Sequence, residues 1–189
     1  RAALGLGEGP WLVSVGWLVE RKGHDIAIKA LTHLPGFKLA IIGEGELRSQ
    51  LEDLTAQLGV DDRVRFVGTV QQSALREWYS SADALVLCSS REGWANVLLE
   101  SMACGTPVVA TSIWGTPEVV QNSTVGRLVH ERTPEAIAQA VLDLFDGHPD
   151  RKAVRAYAEA FSWEGTTQGQ LRLFHKVLAD RPSLSKQIS

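Results

Sequence analysis

The stretch ALVLCSSREGWANVLLESMACGTPVVA, residues 84–110, decides the fold class of this chain. It opens with an almost wholly apolar run, Ala84–Cys88, and closes with another, Val108–Ala110. Strands that are buried on both faces of a parallel sheet have this composition. Between the two runs, a turn at Gly93 leads into a helical pattern, Asn96–Cys104. A strand, a helix and a second strand in this order are typical of a parallel α/β sheet.

The same alternation continues on both sides of this stretch. The six candidate strands are Trp11–Val15, Lys38–Ile42, Val64–Val67, Ala84–Cys88, Val108–Thr111 and Val125–Val129. The candidate helices are His24–Leu34, Leu47–Leu58, Ser73–Ser81, Asn96–Cys104, Pro134–Phe145, Arg151–Phe161 and Ser162–Asp180, the last with Ser162 as its N-cap. We therefore predict an α/β fold with a Rossmann-like, doubly wound parallel sheet of about six strands. Ligands of such sheets bind beyond the carboxyl ends of the strands, where the strand order reverses between strands one and four.

Size and composition are those of an ordinary globular domain. The chain has 189 residues, 44% of them hydrophobic and 22% charged. We expect one domain over residues 1–180 and a flexible tail over residues 181–189. The chain begins at Arg1 without Met and enters its first strand almost at once, so we expect it to be a fragment whose N-terminal neighbour is absent.

Charge and cysteine usage narrow the functional classes. The formal net charge of −3 argues against a broad nucleic-acid-binding surface. Cys88 and Cys104 lie in apolar runs and are predicted to be buried free thiols in a reducing compartment. No run approaches the ~18 apolar residues of a membrane span, and no signal peptide is visible. These features predict a cytoplasmic location, with the inner face of the membrane left open.

The residues suited to binding or catalysis lie in two loops at strand ends. Strand one runs into residues 16–23, which include Lys22, and strand four runs into residues 89–96. Because strands one and four are neighbours at the switch point, we expect these loops to face each other. Lys22 is interpreted either as a point charge for a phosphate or as a solvated lysine. Gly93 permits a close backbone approach, and Asn96 as N-cap would open a helix whose free N–H groups favour a diphosphate.

Two glutamates, Glu92 and Glu100, flank this helix start with seven residues between them. Glu100 interrupts an otherwise apolar helix, and a buried carboxylate needs a partner. A ribose diol would suit it; backbone or arginine donors are the alternative. Glu92 is interpreted either as part of the ligand site or as a solvated loop carboxylate. The segment Gly43-Glu44-Gly45 favours a tight turn over a dinucleotide-binding loop, and the five histidines are predicted to lie on the surface or at helix ends.

Four motifs together resemble one family. They are Glu92-x7-Glu100, the following Ala103–Ala110, Gly16-x-Leu18-x3-Lys22-Gly23 and Gly115-Thr116-Pro117-Glu118. In this order they resemble the C-terminal, donor-binding domain of family 4 retaining glycosyltransferases, which have the GT-B fold. The resemblance covers Trp11 to Leu178.

The resemblance implies a role for each motif residue. Glu92 and Lys22 would be the catalytic residues, with Lys22 on the donor diphosphate and Glu92 near the transferred sugar. Glu100 would bind the ribose hydroxyls, and the backbone near Val67 would meet the base. The implied donor-binding residues are Gly16, Arg21, Lys22, Val67, Gly93, Trp94, Ala95, Asn96, Val97 and Glu100. The ligand would be a nucleotide-sugar donor, with no metal and no cofactor.

The resemblance also implies a partner lobe. Family members place the acceptor mostly on an N-terminal domain, so this domain alone is expected to be inactive, and the last helix usually returns to that lobe. Peripheral membrane contact through that lobe is left open, as is a role in bacterial surface polysaccharide or glycolipid synthesis. The alternatives are a non-catalytic nucleotide-binding module, and the C-terminal lobe of a glycogen-synthase-like enzyme or of a sugar-nucleotide epimerase.

Two positions depart from the family pattern. Trp17 stands where many members have an arginine that shares the diphosphate, and Arg21 is the nearest substitute. Trp114 replaces the first glycine of a frequent Gly-Gly pair, and a bulky side chain beside the donor could select the sugar.

Overall fold

The computed structural model describes residues 1–161 and 163–179. Its strands are β1 Trp11–Val15, β2 Lys38–Ile42, β3 Val64–Gly68, β4 Ala84–Leu87, β5 Val108–Thr111 and β6 Gly126–Val129. Its helices are α1 His24–Ala30, α2 Arg48–Gln57, α3 Gln72–Ser81, α4 Asn96–Ala103, α5 Thr116–Val119, α6 Pro134–Asp146, α7 Arg151–Glu159 and α8 Trp163–Ala179. The strands form one parallel sheet in the order β3-β2-β1-β4-β5-β6. The predicted fold class and the pairing of strands one and four are therefore confirmed.

Two apolar layers cover the two faces of the sheet. Helices α1, α2 and α6 contribute Ile28, Leu51 and Ile137 to the layer on one face. Helices α3, α4 and α7 contribute to the layer on the other face, with side chains that include Trp78, Leu98, Met102 and Val154. All residues of β1 and β4 are buried, because each of these central strands has a neighbour on both sides and a helix layer on both faces.

The turn after β2 is shaped by close backbone contact. A Cβ atom on Gly43 would lie 2.0 Å from the carbonyl oxygen of Gly16, and one on Gly45 would lie 2.5 Å from that of Leu18. The backbone of Gly43 also has a φ of 142°, which side chains disfavour. The glycines of this turn thus let it pack against the loop after β1, and the prediction of a tight turn is confirmed.

Two local predictions need correction, and one short helix was missed. Asn96 is the first residue of α4 and not its N-cap: Ala95 precedes the helix, is buried, and makes no side-chain cap hydrogen bond. Cys104 is half-buried, whereas Cys88 is buried as predicted, and burial raises the pKa of the Cys88 thiol to about 12. Helix α5 was not predicted, because four residues are too short for a hydrophobic period.

Histidine 24 also differs from the expectation of a surface or helix-end residue. It begins α1, so it lies at a helix end, but its side chain is only 3% exposed. Its Nδ1 atom lies 3.1 Å from Oγ of Ser14 on β1. Its Nε2 atom is buried without a hydrogen-bond partner.

The described chain divides into a larger unit, Arg1–Ala158, and a second unit that begins at Glu159. Helix α8 belongs to the second unit and exposes a set of large apolar side chains, Leu171, Leu173, Phe174, Val177 and Leu178. No helix among the described residues is long and apolar enough to cross a membrane. The predicted N-cap Ser162 and the predicted tail, residues 181–189, lie outside the described residues.

Candidate functional site

The loops after β1 and β4 meet at the carboxyl edge of the sheet, as expected. The backbone N–H of Ser90 donates to the carbonyl oxygen of Arg21 over 2.8 Å. Nζ of Lys22 lies 2.6 Å from Oε1 of Glu92. The parallel order of the sheet therefore brings two predicted residues into direct contact across a crevice.

The Lys22–Glu92 ion pair is largely shielded from solvent. Only 13% of the lysine side chain and 10% of the glutamate side chain is exposed. Ser89 donates its hydroxyl to the same carboxylate oxygen over 2.7 Å. The lysine chain runs along Gly16, where a Cβ atom would come within 3.3 Å of Cε of Lys22. Gly16 thus leaves room for the lysine to reach the crevice.

Buried contacts hold the β4 end of the crevice in place. Arg132 donates from Nε to the carbonyl oxygen of Cys88 over 2.7 Å. Thr111 donates its hydroxyl to the carbonyl oxygen of Ser89 over 2.6 Å. Gly23 has a φ of 68°, and a Cβ atom there would lie 2.2 Å from the oxygen of Cys88. The sequence showed no role for Arg132, because its target is a backbone carbonyl 44 residues away.

Glu100 lies half-buried on α4 and accepts two hydrogen bonds from α3. Tyr79 donates its hydroxyl to Oε2 over 2.9 Å, and Gln72 donates from Nε2 to Oε1 over 3.1 Å. Burial, with the adjacent Glu100 carboxylate, raises the pKa of Tyr79 well above its usual range, so its hydroxyl stays a donor. The partners are thus a phenol and an amide, not the backbone or arginine donors considered from the sequence. A carboxylate has about four acceptor positions, so Glu100 retains acceptor capacity for a ligand hydroxyl.

Two cavities flank the crevice. The first, of about 230 Å³, is called the β2 cavity and is lined by Val15, Gly16, Trp17, Ile42, Gly43, Glu44, Thr69, Val70 and Leu75. The second, of about 430 Å³, is called the β5 cavity and is lined by Arg21, Arg91, Glu92, Gly93 and Trp114. Val67 does not line the β2 cavity; it is partly buried against the core, and the residues that follow it on the chain line the cavity instead.

The remaining predicted residues form the turn into α4. Gly93, Trp94 and Asn96 are exposed, Val97 is half-buried, and Ala95 is buried in the core. The backbone N–H of Asn96 donates to the carbonyl oxygen of Trp94 over 3.0 Å, so this amide belongs to the turn. Gly93 in this turn lines the β5 cavity, and part of the backbone of the turn is engaged internally. No group of three or more metal-binding side chains occurs in residues 1–161 and 163–179.

Comparison with known proteins assigns this chain to a family. The family model described as glycosyl transferases group 1 matches residues 1–161. The chain belongs to the group 1 glycosyltransferases. It is similar to the lipopolysaccharide core biosynthesis glycosyltransferase LpsE of Rhizobium meliloti, with 36% identity over 93% of this chain and 51% of the relative. It is also similar to a D-inositol 3-phosphate glycosyltransferase of Mycolicibacterium gilvum, with 32% identity over 95% of this chain and 42% of the relative.

Solved structures show the same architecture. The sucrose-phosphate synthase of Thermosynechococcus elongatus superposes with a TM-score of 0.84 and 30% identity, over 96% of this chain and 49% of that one. Anabaena HepE, solved in complex with UDP-glucose, has a TM-score of 0.82 at 22% identity, a likeness that shows the shared fold. This glycosyltransferase chain spans about half the length of the curated relatives it matches.

Proposed function

We propose that this chain binds a nucleoside diphosphate sugar in the crevice between the loops after β1 and β4, and holds it for a retaining glycosyl transfer. The observation that carries the proposal is the Lys22–Glu92 contact of 2.6 Å. It places a cation and a carboxylate at the switch point of a doubly wound sheet, where ligands of such sheets bind.

Lys22 is the proposed ligand of the diphosphate. Its charge is balanced by Glu92, and a diphosphate in the crevice would offer it a second anionic partner. Arg21 lines the adjoining β5 cavity, and its guanidinium forms no ion pair with a carboxylate among the described residues. Because these cations can balance the diphosphate charge, we propose that binding needs no divalent metal.

The nucleoside would lie toward β2 and α3. The β2 cavity offers Gly16, Thr69 and Val70 to a flat base. Glu100 would accept hydrogen bonds from the ribose hydroxyls, since Tyr79 and Gln72 fix its carboxylate and leave acceptor positions free.

The transferred sugar would lie beside Glu92, on the other side of the diphosphate. As the bond between sugar and diphosphate breaks, negative charge grows on the leaving phosphate. Lys22 can stabilise this charge most strongly in the transition state, and loss of one such group typically costs ~10²–10³ in rate. Glu92, released from Lys22 by the donor, can then accept hydrogen bonds from the sugar.

The acceptor is proposed to bind elsewhere. The relatives are about twice the length of this chain, and we propose that their remaining part corresponds to an acceptor-binding lobe, without which the domain transfers no sugar. The relatives in lipopolysaccharide core and D-inositol 3-phosphate glycosylation support hexosyl transfer in surface polysaccharide or glycolipid synthesis.

Calorimetry with UDP, GDP and ADP, each with and without excess chelator, tests this proposal. At least one diphosphate is expected to bind, with an unchanged Kd when the chelator is present. Absence of binding by all three would refute the nucleotide site, whereas binding that disappears with chelator would refute only the metal-free arrangement.

A further inference from the structure

Trp114 combines three features that no packing role explains. Its side chain is 65% exposed. Its backbone has a φ of 44°, in the left-handed region, where a residue with a Cβ atom is disfavoured and glycine is not. Its ring lies under the guanidinium of Arg91, 5.1 Å from the ring centroid to Cζ. A strained backbone that presents a large apolar ring to solvent points to a use outside the core.

The loop that carries Trp114 is fixed against the turn after β4. A Cβ atom on Gly115 would lie 2.4 Å from the carbonyl oxygen of Gly93, so the two backbones are in close contact. The hydroxyl of Thr116 donates to the carbonyl oxygen of Thr111 over 2.7 Å and is fully buried. The position of Trp114 beside Glu92 and Gly93 is therefore set by buried contacts that do not involve its own indole.

The β5 cavity gathers an unusual set of groups around this indole. Arg21, Arg91, Glu92 and Trp114 provide two guanidinium groups, a carboxylate and an aromatic face. The guanidiniums of Arg21 and Arg91 form no ion pair within residues 1–161 and 163–179. A pyranose ring has an apolar C–H face surrounded by hydroxyl groups, so an aromatic face with a few polar groups at its edge matches it chemically.

We propose that Trp114 is a specificity-determining residue for the transferred sugar: its indole packs against the C–H face of the hexose of the bound donor, while Arg91 holds the ring and Glu92 receives hexose hydroxyls. The inference rests on the proposed function, because the hexose reaches the β5 cavity only if the diphosphate lies at Lys22. It adds that this chain recognises the sugar itself and not only the nucleotide.

Paired calorimetry separates the sugar from the nucleotide. The ratio of Kd for UDP to Kd for UDP-glucose, and of Kd for GDP to Kd for GDP-mannose, measures the contribution of the hexose. In the wild-type chain we expect at least one ratio to be five or more. Trp114→Ala and Trp114→Gly should bring that ratio to about one while the Kd of the free diphosphate changes by less than twofold, and Trp114→Phe should keep most of it.

Two controls distinguish recognition from a structural role. Phe174 is also a large exposed aromatic residue but lines neither cavity, so Phe174→Ala should keep the ratio. Trp114→Gly removes the strain at φ 44°, so its Tm should equal or exceed that of the wild type. Proton NMR should show upfield ring-current shifts of the hexose protons in the wild type that vanish in Trp114→Gly.

Each contrary result has a distinct meaning. A wild-type ratio of one, or an unchanged ratio in Trp114→Gly, would overturn the sugar role while leaving diphosphate binding intact. A lower Tm together with a lost ratio in Trp114→Gly would assign the indole to holding the loop. If neither UDP nor GDP binds the wild type, the proposed function fails and this inference fails with it.

Discussion

At the scale of single residues, Lys22 and Glu92 show what a sequence pattern can and cannot specify. Each could be identified from its position after an apolar strand, yet the contact between them spans 70 residues of chain. The doubly wound order made their proximity predictable, but not that the lysine would already hold a carboxylate.

Glu100 also combines a feature that the sequence predicts with contacts that it does not. A carboxylate in an apolar helix needs a partner, and this much was clear from the sequence. Its partners, Tyr79 and Gln72, come from α3, whose packing on α4 no local pattern encodes. Arg132 was missed from the sequence, because it supports the site through a distant carbonyl. Val67 packs against the core, and contact between the backbone near it and the base stays a prediction.

Glu100→Gln provides a test at this scale. We expect the wild type to bind UDP about tenfold more tightly than 2′-deoxy-UDP, since hydrogen bonds to a charged acceptor contribute about 1.5–3 kcal/mol. In Glu100→Gln the ratio should fall to about two, because a neutral amide oxygen is the weaker acceptor.

Glu77→Gln is the matched control for that change, because Glu77 is exposed on α3, the helix that supplies both partners of Glu100. In Glu77→Gln the ratio of the Kd for 2′-deoxy-UDP to the Kd for UDP should stay at the wild-type value. Equal ratios in wild type and Glu100→Gln would show that the carboxylate does not contact the ribose.

At the scale of helices and strands, the hydrophobic pattern located all six strands, because buried parallel strands are continuous apolar runs. The ends were less predictable where backbone contacts decide them. Helix α4 begins at Asn96 with no side-chain cap, and α1 stops at Ala30 and continues as a 3₁₀ turn, Leu31–His33. Neither end carries a side-chain signal that would have revealed it.

His24 links α1 to β1 and makes the stability of the fold depend on pH. Burial lowers its pKa to about 4 from an ordinary 6.5, and the nearby Lys22 cation acts in the same direction, against the carbonyls of Trp17 and Gly16 and the carboxylate of Asp25. The unfolded chain therefore binds this proton at pH 5, whereas the folded chain does not. The stability that the neutral His24 side chain contributes is fully present above pH 6.5, and it is lost as pH falls toward 4.

The expected loss is roughly 2 kcal/mol in the free energy of unfolding between pH 7 and pH 5. Urea unfolding at both pH values measures it. His24→Gln should lower the stability at pH 7 and reduce its dependence on pH by about this amount. His130→Gln, a change at an exposed histidine, should leave the dependence as in the wild type; an identical dependence in His24→Gln would contradict the assignment.

At the scale of the whole molecule, the parallel sheet brings residues that are far apart in the sequence close together in space. The motifs that begin at Gly16, Glu92 and Gly115 all follow parallel strands, so their loops meet at one edge. This geometry follows from the alternating pattern alone, so the crevice could be predicted from it. The family resemblance rested instead on the four motifs. The shapes of the β2 and β5 cavities could not be predicted, because they depend on how exposed loops such as the one at Trp114 are folded.

The central claim is that Lys22 holds a nucleoside diphosphate in this crevice. The measurement is the Kd of UDP, GDP and ADP for the wild type, Lys22→Ala and the matched control Lys29→Ala. Lys29 pairs with Asp25 on α1 over 3.0 Å and does not face Glu92. Lys22→Ala alone removes the cation and also leaves the Glu92 carboxylate unpaired. A double variant, Lys22→Ala with Glu92→Gln, measures the loss of the cation without that unpaired charge.

We expect Lys22→Ala to raise the Kd of the most tightly bound diphosphate about tenfold or more, equivalent to about 1.4 kcal/mol or more. The double variant should stay at least fivefold weaker than the wild type, and Lys29→Ala should remain within twofold of it. Wild-type affinity in a folded Lys22→Ala variant, or an equal loss of affinity in Lys29→Ala, would show that Lys22 does not hold the diphosphate.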